Sequence, residues 1–171
     1  MNPTTGTRRA YVIRPIRPSD DPHVAHTIRT VMTEVGCSGP GFAIHDAEVD
    51  AMCANYATAD ARYYVVVDPH GQVVGGAGFA RLAGTSPAQA TCELRKMYFR
   101  PAARGLGLAA QLLDVLLDEM RAAGFGRCYL ETTTWMHDAQ RLYQNRGFVR
   151  QTGGEGATGH HGCDSFYSRS L

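Results

Sequence analysis

Residues 100–109 read Arg-Pro-Ala-Ala-Arg-Gly-Leu-Gly-Leu-Ala, and they connect an apolar run with strand character to a run with helical periodicity. Gly105, Gly107 and Ala109 have side chains small enough for the backbone to approach a ligand closely. The first amides of a helix have no partner within the helix, and the helix dipole places partial positive charge there. A turn of this kind binds phosphate, and Arg104 adds a full charge and several donors.

The same turn allows two other interpretations. A strand-to-helix connection can use glycine for flexibility alone. Residues 105–110, Gly-Leu-Gly-Leu-Ala-Ala, also match the G-x-G-x-x-A pattern of dinucleotide sites, and Glu131 follows about 20 residues later, where such sites hold a ribose. The dinucleotide match is weak, because it starts beyond residue 100 and only one more helix is predicted after it. A doubly wound fold needs more β-α units than that.

The residues on either side of the turn predict a mixture of strands and helices. Runs rich in Val and Tyr predict strands, and apolar residues at helical spacing predict helices. The predicted strands cover residues 11–16, 62–68, 72–80, 92–100 and 127–132, a strand from 148, and residues 164–170. The predicted helices cover residues 21–35, about 45–56, 106–123 and 135–146. We therefore expect an α+β fold with a mixed, mostly antiparallel sheet of six or seven strands and about four helices.

Length and composition are those of a globular protein. The 171 residues can bury a sizeable core, and we expect a single domain over residues 1–171 with a flexible tail at residues 1–10. The net charge of +1 indicates neither nucleic acid nor a membrane surface as a partner. No apolar run reaches the roughly 18 residues of a membrane span. The five scattered cysteines are typical of reduced thiols, which indicates a cytoplasmic protein, and Cys92 and Cys128 are expected to be buried and inert.

Three segments of the chain resemble the GNAT superfamily of N-acetyltransferases. Residues 104–109, Arg-Gly-Leu-Gly-Leu-Ala, match its signature Q/R-x-x-G-x-G/A. Residues 93–101, Glu-Leu-Arg-Lys-Met-Tyr-Phe-Arg-Pro, look like its fourth strand. Residues 139–148, Ala-Gln-Arg-Leu-Tyr-Gln-Asn-Arg-Gly-Phe, resemble its last conserved helix and turn. The matches occur in the family's order, and the resemblance implies a GNAT-like fold and an enzyme that uses acetyl-CoA.

The resemblance also implies where acetyl-CoA binds. In this family the end of the fourth strand parts from the next strand, and the pantetheine arm lies in the gap, so backbone groups of Met97, Tyr98 and Phe99 are expected to pair with the arm. The pyrophosphate is expected at the amides of Arg104, Gly105, Leu106, Gly107, Leu108 and Ala109. Many members carry an asparagine before the last helix, but residues 132–137 contain none. Thr134, Trp135 and His137 stay open as substitutes, and His137 is included among the candidate cofactor contacts.

Two residues are candidates for the chemistry. Glu93 is implied as the base, and it lies six residues before Phe99, or about 20 Å along a strand, so we expect a water to carry the proton from the amine. The alternative for Glu93 is a surface ion pair with Arg95 on the same strand face. Tyr143 matches the tyrosine that protonates the departing thiolate in many members, and the alternative is a core tyrosine beside Leu142.

Residues 159–164, Gly-His-His-Gly-Cys-Asp, suggest a metal site at first sight. Adjacent histidines point apart, and the sequence shows no second ligand cluster at a suitable spacing, so we expect no metal. The alternatives are a loop that shapes the acceptor pocket, with His161 or Asp164 facing the substrate, and a plain surface loop. The segments expected to build that pocket, residues 36–44, 84–90 and 153–162, carry few charges, so neither a strongly acidic nor a strongly basic acceptor is indicated.

The sequence therefore predicts an N-acetyltransferase. We expect it to transfer the acetyl group of acetyl-CoA to a primary amine of a small molecule or peptide, by direct attack in a ternary complex, as in most of the family. No cysteine occupies a family position for a covalent nucleophile. The alternative is a non-catalytic acyl-CoA-binding or sensing module, which would keep residues 104–109 but could lose the acid and the base. Nucleic-acid and membrane partners are not expected, and the oligomeric state, a homodimer included, stays open.

Overall fold

A seven-stranded sheet organises the chain in the computed structural model, which describes residues 10–171. The strands are β1 Val12–Pro15, β2 Arg62–Val67, β3 Val73–Arg81, β4 Thr91–Phe99, β5 Arg127–Thr132, β6 Val149–Gln151 and β7 Ser165–Ser170. They are ordered β1-β2-β3-β4-β5-β7-β6, and of the strand pairs in the described part of the chain only β4–β5 is parallel. The expected fold class is confirmed. The expected tail falls outside the described residues, except for residue 10.

Four helices flank this sheet: α1 Asp21–Glu34, α2 Met52–Asn55, α3 Leu108–Ala122 and α4 His137–Asn145. Successive side chains of a strand point to opposite faces. In β2, Val66 packs into the apolar cluster that contains α3, whereas Val65 and Val67 pack into the cluster that contains α1. Both faces of the sheet are therefore covered. No helix within residues 10–171 is long and apolar enough to cross a membrane.

The expected helix over residues 45–56 is largely wrong. The chain there forms two 3-10 turns, Ala43–His45 and Ala47–Asp50, followed by the single turn of α2. Asp46 has extended backbone angles and interrupts the helical path. Its carboxylate, together with that of Glu48, contacts the buried ammonium of Lys96 in β4. A partner almost fifty residues away thus overrides the local helical pattern.

The parallel pair β4–β5 separates partway along its length. The register pairs Thr91 with Arg127 and ends where Glu93 pairs with Tyr129, although both strands continue. Beyond that point β4 carries a bulge, because its four residues from Arg95 to Tyr98 lie opposite the three residues from Gly76 to Gly78 of β3. Lys96 lies in the bulge with φ of 50°, the left-handed region that non-glycine residues rarely adopt. The separation that the resemblance implied is therefore present, and the candidate site lies in the resulting gap.

Candidate active site

The gap between β4 and β5 contains two adjoining spaces. An open groove of about 740 Å³ lies between the end of β4, the end of α1 and the start of α4. A more enclosed cavity of about 60 Å³ lies further back along the two strands. Met97, Tyr98 and Met136 line both spaces. An elongated ligand can therefore extend from the groove into the cavity.

The groove brings together five of the expected cofactor contacts, namely Met97, Tyr98, Phe99, Arg104 and His137. Trp135 also lines the groove, and its indole nitrogen donates to the carbonyl oxygen of Val35 at 2.9 Å. Thr134 instead donates its backbone and side-chain hydrogens to Asp164. Of the three substitutes for the missing asparagine, Trp135 and His137 are the ones that line this groove.

The turn before α3 presents a row of unpaired backbone donors. Gly105 and Gly107 have φ of 73° and 76°, and α3 begins at Leu108 rather than at the expected Leu106 because Gly107 caps it in a left-handed conformation. Within residues 10–171, the amides of residues 105–110 donate to no backbone or side-chain acceptor. A Cβ added at Gly105 would meet nothing within 4 Å. The turn is therefore open to an anion over consecutive amides.

Arg104 is more constrained than the sequence suggested. Its Nε donates to the carbonyl oxygen of Phe99 at 2.8 Å, and its two terminal nitrogens bind the carboxylate of Glu34 at 2.7 and 3.0 Å. The guanidinium lowers the pKa of Glu34. Both side chains are about 40% exposed, so this ion pair contributes little stability and can exchange for another anion at low cost.

The enclosed cavity brings Glu93 and Tyr143 to the same space. Glu93 is buried, and its Oε2 accepts a hydrogen bond from Arg95 at 2.7 Å, so the ion pair considered from the sequence is present but not at the surface. The Tyr143 ring packs edge-on to Phe148, and no described residue bonds to its hydroxyl. Burial raises the pKa of Tyr143. Thr133 also lines the cavity with a buried hydroxyl that has no partner within residues 10–171.

Two further polar residues line this cavity, Glu131 and His160, and neither was identified from the sequence as a cavity residue. Glu131 lies on the same face of β5 as Tyr129, the register partner of Glu93, so strand alternation could have revealed it. His160 comes from the β6–β7 loop, which has no periodic pattern. Of the two alternatives for His161 and Asp164, the exposure of both side chains favours the surface loop, with His161 close to Gly41 and Asp164 bound to Thr134.

An ion network extends from this cavity towards solvent. His160 Nε2 lies 3.0 Å from Asp46 Oδ2, and the same oxygen accepts from Lys96 Nζ at 2.7 Å. His160 Nδ1 lies 3.9 Å from Glu93 Oε1 and 4.0 Å from Glu131 Oε2. The hydrogen bond with Asp46 raises the pKa of His160, and burial raises the pKa of Glu131. The cavity therefore holds several groups able to exchange protons.

The contacts of Glu93, Glu131 and His160 also indicate whether these residues are available to bind a metal ion. Glu93, Glu131 and His160 offer ligand atoms within 4.8 Å of one another, so the fold supplies the second ligand cluster that the sequence did not show. However, the guanidinium of Arg95 occupies one oxygen of Glu93, and Asp46 occupies one nitrogen of His160. These partners favour an ion network, and the absence of a metal stays a prediction.

Cysteines occur in the core and at the cavity. Cys92 and Cys128 are fully buried, as expected. Cys37 and Cys163 line the cavity, a position that the sequence did not indicate. Burial raises the pKa of Cys37 and raises that of Cys163 to about 12. Both are therefore protonated thiols at neutral pH, which are poor nucleophiles.

The loops around the cavity differ in part from the expected set. Cys37, Phe42 and Ala43 come from residues 36–44, and His160 comes from residues 153–162. Residues 84–90 do not appear among the lining residues. Gly84 instead packs close to Ala157, whose amide donates to the carbonyl oxygen of Ala83 at 2.7 Å. This segment therefore supports the loop that carries His160 rather than the cavity itself.

The parted strands, the open turn and the acid–base cavity define an acyltransferase, and comparison with known sequences identifies the family. The Acetyltransferase (GNAT) family matches residues 30–148. The chain belongs to this family. It is 39% identical to the uncharacterized N-acetyltransferase YjgM of Escherichia coli (strain K12), over 94% of this chain and 95% of the relative. Over about half of each chain it is 38% identical to the N-alpha-acetyltransferase RimI of Mycobacterium tuberculosis.

Solved structures share the fold. A GNAT-family acetyltransferase from Staphylococcus aureus aligns with a TM-score of 0.81 at 21% identity, over 95% of this chain and 99% of that one. The yncA protein of Salmonella typhimurium, solved with its cofactor acetyl-CoA, aligns with a TM-score of 0.71 at 23% identity, over 95% of this chain and 94% of that one. At these identities the similarity shows the architecture alone.

Proposed function

We propose that this protein transfers the acetyl group of acetyl-CoA to a primary amine of a small molecule or peptide, by direct attack in a ternary complex. One observation carries the proposal. A groove runs from Arg104, beside the unpaired amides of residues 105–110, to a cavity that contains Glu93 and Tyr143. Anion-binding groups at one end and acid–base groups at the other fit a long thioester that carries phosphate at its far end.

Three features of the cleft fit acetyl-CoA. The open glycine turn suits pyrophosphate. Among residues 10–171, the edge of β4 at Met97–Phe99 has no partner strand on the β5 side, so its backbone groups can pair with an amide-containing arm. The hydroxyl of Thr133, unpartnered among the described residues, lines the cavity and is free to bond to a ligand there. The presence of acetyl-CoA in the Salmonella typhimurium relative of similar fold supports the same ligand here.

The chain's own residues bind the two substrates, exclude water and move protons. Acetyl-CoA supplies a thioester whose carbonyl carbon the amine attacks, so that a C–N bond forms and the C–S bond breaks. A carboxylate in the cavity accepts the proton of the amine, and Glu93, reached through water, is the candidate from the sequence. Tyr143 is the candidate donor to the departing sulfur, since its raised pKa keeps the hydroxyl protonated at neutral pH.

The alternative is a module that binds acyl-CoA without turnover. Such a module would need the turn and the groove but not a cavity that holds two carboxylates, a histidine and a tyrosine. Release of the coenzyme A thiol with a panel of primary amines tests the choice. Acetyl-CoA binding without amine-dependent thiol release from any member would favour the module.

Acetyl-CoA is expected to raise the melting temperature, whereas NAD is not. At a ligand concentration 100 times Kd the stabilisation is about 2.7 kcal/mol, which corresponds to roughly 5–10 °C for a chain of this size. NAD also carries a pyrophosphate, but the chain lacks the β-α units that hold the rest of a dinucleotide. Differential scanning fluorimetry with both ligands at equal concentration measures the effect. Equal shifts, or none with acetyl-CoA, would contradict the cofactor assignment.

Replacing both cavity cysteines with serine is expected to leave kcat within a few-fold of the wild-type value. The raised pKa values of Cys37 and Cys163 leave almost no thiolate to form an acyl-enzyme. Steady-state kinetics on Cys37→Ser/Cys163→Ser measures this, with Cys53→Ser, outside the cavity, as the control. A large loss of kcat together with an acetylated wild-type enzyme in mass spectrometry would show that attack is not direct.

A further inference from the structure

Glu131 is better placed than Glu93 to meet an amine in the cleft. The two strands are parallel, and Glu93 is in register with Tyr129, so Glu131 lies two residues further towards the gap. Two residues correspond to about 7 Å along a strand. The expected distance from Glu93 to the groove was long for direct proton transfer. Glu131 lies on the same face of the sheet and is closer to the groove than Glu93.

The hydrogen-bond partners of the two carboxylates also differ. Glu93 binds the guanidinium of Arg95 through Oε2. Glu131 accepts hydrogen bonds from the neutral hydroxyls of Tyr129 at 2.8 Å and Thr158 at 2.9 Å. Within residues 10–171, no arginine or lysine nitrogen lies within 4.0 Å of the Glu131 carboxylate. Its side chain is only 6% exposed, and burial raises its pKa. Of the two glutamates that line the cavity, Glu131 is thus the one with no cationic partner among the described residues other than His160.

A base buried to this degree must return its proton to solvent after each turnover. His160 lies between Glu131 and the outside: its Nδ1 is 4.0 Å from Glu131 Oε2, and its Nε2 is 3.0 Å from Asp46 Oδ2. Because the carboxylate of Asp46 accepts a hydrogen from Nε2, the neutral ring presents an unprotonated Nδ1 to Glu131. Exposure increases along this row, from 6% for Glu131 to 14% for His160 and 29% for Asp46.

We propose that Glu131, His160 and Asp46 form a proton path, in which Glu131 takes the proton of the acceptor amine and His160 passes it out of the cavity. The inference rests on the proposed function and identifies groups in it that the family resemblance did not indicate.

The acceptor arrives at the cavity as an ammonium ion. Glu131 removes one proton, and the free amine then attacks the thioester carbon. As the C–N bond matures and the C–S bond breaks, Tyr143 gives its hydroxyl proton to the departing sulfur, and the second proton of the nitrogen restores that hydroxyl. Because 4.0 Å is too long for a direct hydrogen bond, Glu131 passes its proton to Nδ1 of His160 through one water, and the resulting imidazolium releases one proton to water beside Asp46. One ammonium and one thioester thus yield one amide, one thiol and one released proton.

The test compares His160→Ala with His161→Ala. The adjacent His161 is exposed and lies outside the cavity, so it is a matched control. Thiol release is measured with acetyl-CoA and a panel of butylamine, 2-phenylethylamine, putrescine and lysine, with and without added imidazole. We expect His160→Ala to lower kcat about 10-fold or more, and added imidazole to restore part of the loss in a concentration-dependent manner. We expect His161→Ala to keep the wild-type kcat, with or without imidazole.

The variant Glu131→Gln tests whether Glu131 acts before His160 in the proton path. We expect kcat/KM to fall roughly 10²-fold, as for loss of a positioned base, with no rescue by imidazole and an unchanged acetyl-CoA melting shift. The titratable groups that face His160 are Asp46, Glu93, Lys96 and Glu131. Imidazole rescue is the readout that a merely structural role of His160 would not produce.

The outcomes separate the two proposals. If wild-type enzyme releases no thiol with any amine although acetyl-CoA binds, the proposed function fails and the proton path fails with it. If wild-type enzyme is active and His160→Ala matches it, or loses activity that imidazole does not restore, only the proton path is overturned. A near-normal Glu131→Gln beside an inactive Glu93→Gln would likewise return the base role to Glu93.

Discussion

Replacing Gly107 with valine is expected to weaken acetyl-CoA binding at least ~100-fold. Gly107 has φ of 76°, a region that a β-branched residue does not tolerate, so the turn must change conformation. That change withdraws the amides of residues 105–110 from a pyrophosphate. Loss of two hydrogen bonds to a charged group, at about 1.5 kcal/mol each, accounts for this factor. Isothermal titration calorimetry measures the affinity directly.

Gly124→Val is the matched control for this substitution. Gly124 follows the other end of α3 with φ of 87°, and a Cβ there meets nothing within 4 Å. Both variants therefore carry a similar backbone strain, of order 1–2 kcal/mol, but only Gly107 lies in the turn. Equal losses of affinity in the two variants, or normal affinity in a folded Gly107→Val, would show that the turn has only a structural role.

Tyr143→Phe is expected to lower kcat by roughly 10²-fold, the usual effect of losing a positioned acid. The free energy of unfolding should change by less than about 0.5 kcal/mol, because the hydroxyl has no described partner to lose and the ring contacts remain. A coenzyme A thiol is a good leaving group, so the loss of kcat can fall at the low end of this range. Steady-state kinetics and denaturant unfolding on one preparation measure both quantities.

Tyr167→Phe is the matched control, for which we expect the opposite effects on stability and kcat. This buried tyrosine lies beside Tyr143, but its hydroxyl donates to Gln140 at 2.8 Å. Removing that hydroxyl should cost about 1 kcal/mol of stability while kcat stays within a few-fold. If Tyr143→Phe instead loses stability with kcat intact, Tyr143 belongs to the core and not to the chemistry.

Local patterns predicted the elements that frame the site. The strand formers around residue 95 and the glycines at 105 and 107 act within their own segment, so neither depends on distant contacts. The boundary of α3 was missed by two residues, because a glycine in the left-handed conformation caps the helix instead of entering it. The separation of β4 and β5 was predicted from the family resemblance alone, since no residue type marks the end of a parallel ladder.

The polar centre of the site was harder to predict. Asp46 meets His160 across 114 residues, and Lys96 meets Asp46 across 50. Such pairs form only when the fold is complete, and they leave no local periodicity. The sequence pattern indicated Glu131 only as a ribose-binding residue of a dinucleotide fold, which the mixed sheet excludes. Its position in the cavity follows from alternation in β5 combined with the register to β4, and the register is a property of the assembled sheet.

The short ladder between β4 and β5 also has a mechanical consequence. Within the part of the chain that the structure describes, only three register pairs join the block β1–β4 to the block β5–β7. The sheet therefore consists of two blocks with a narrow backbone hinge, and helix packing together with loop contacts, such as that of Ala157 with Ala83, supplies the rest of the connection. A pantetheine arm that pairs with the free edge of β4 would act as an extra strand along this hinge. Part of its binding energy would then stiffen the joint, so the enzyme would be most rigid when it is loaded for reaction.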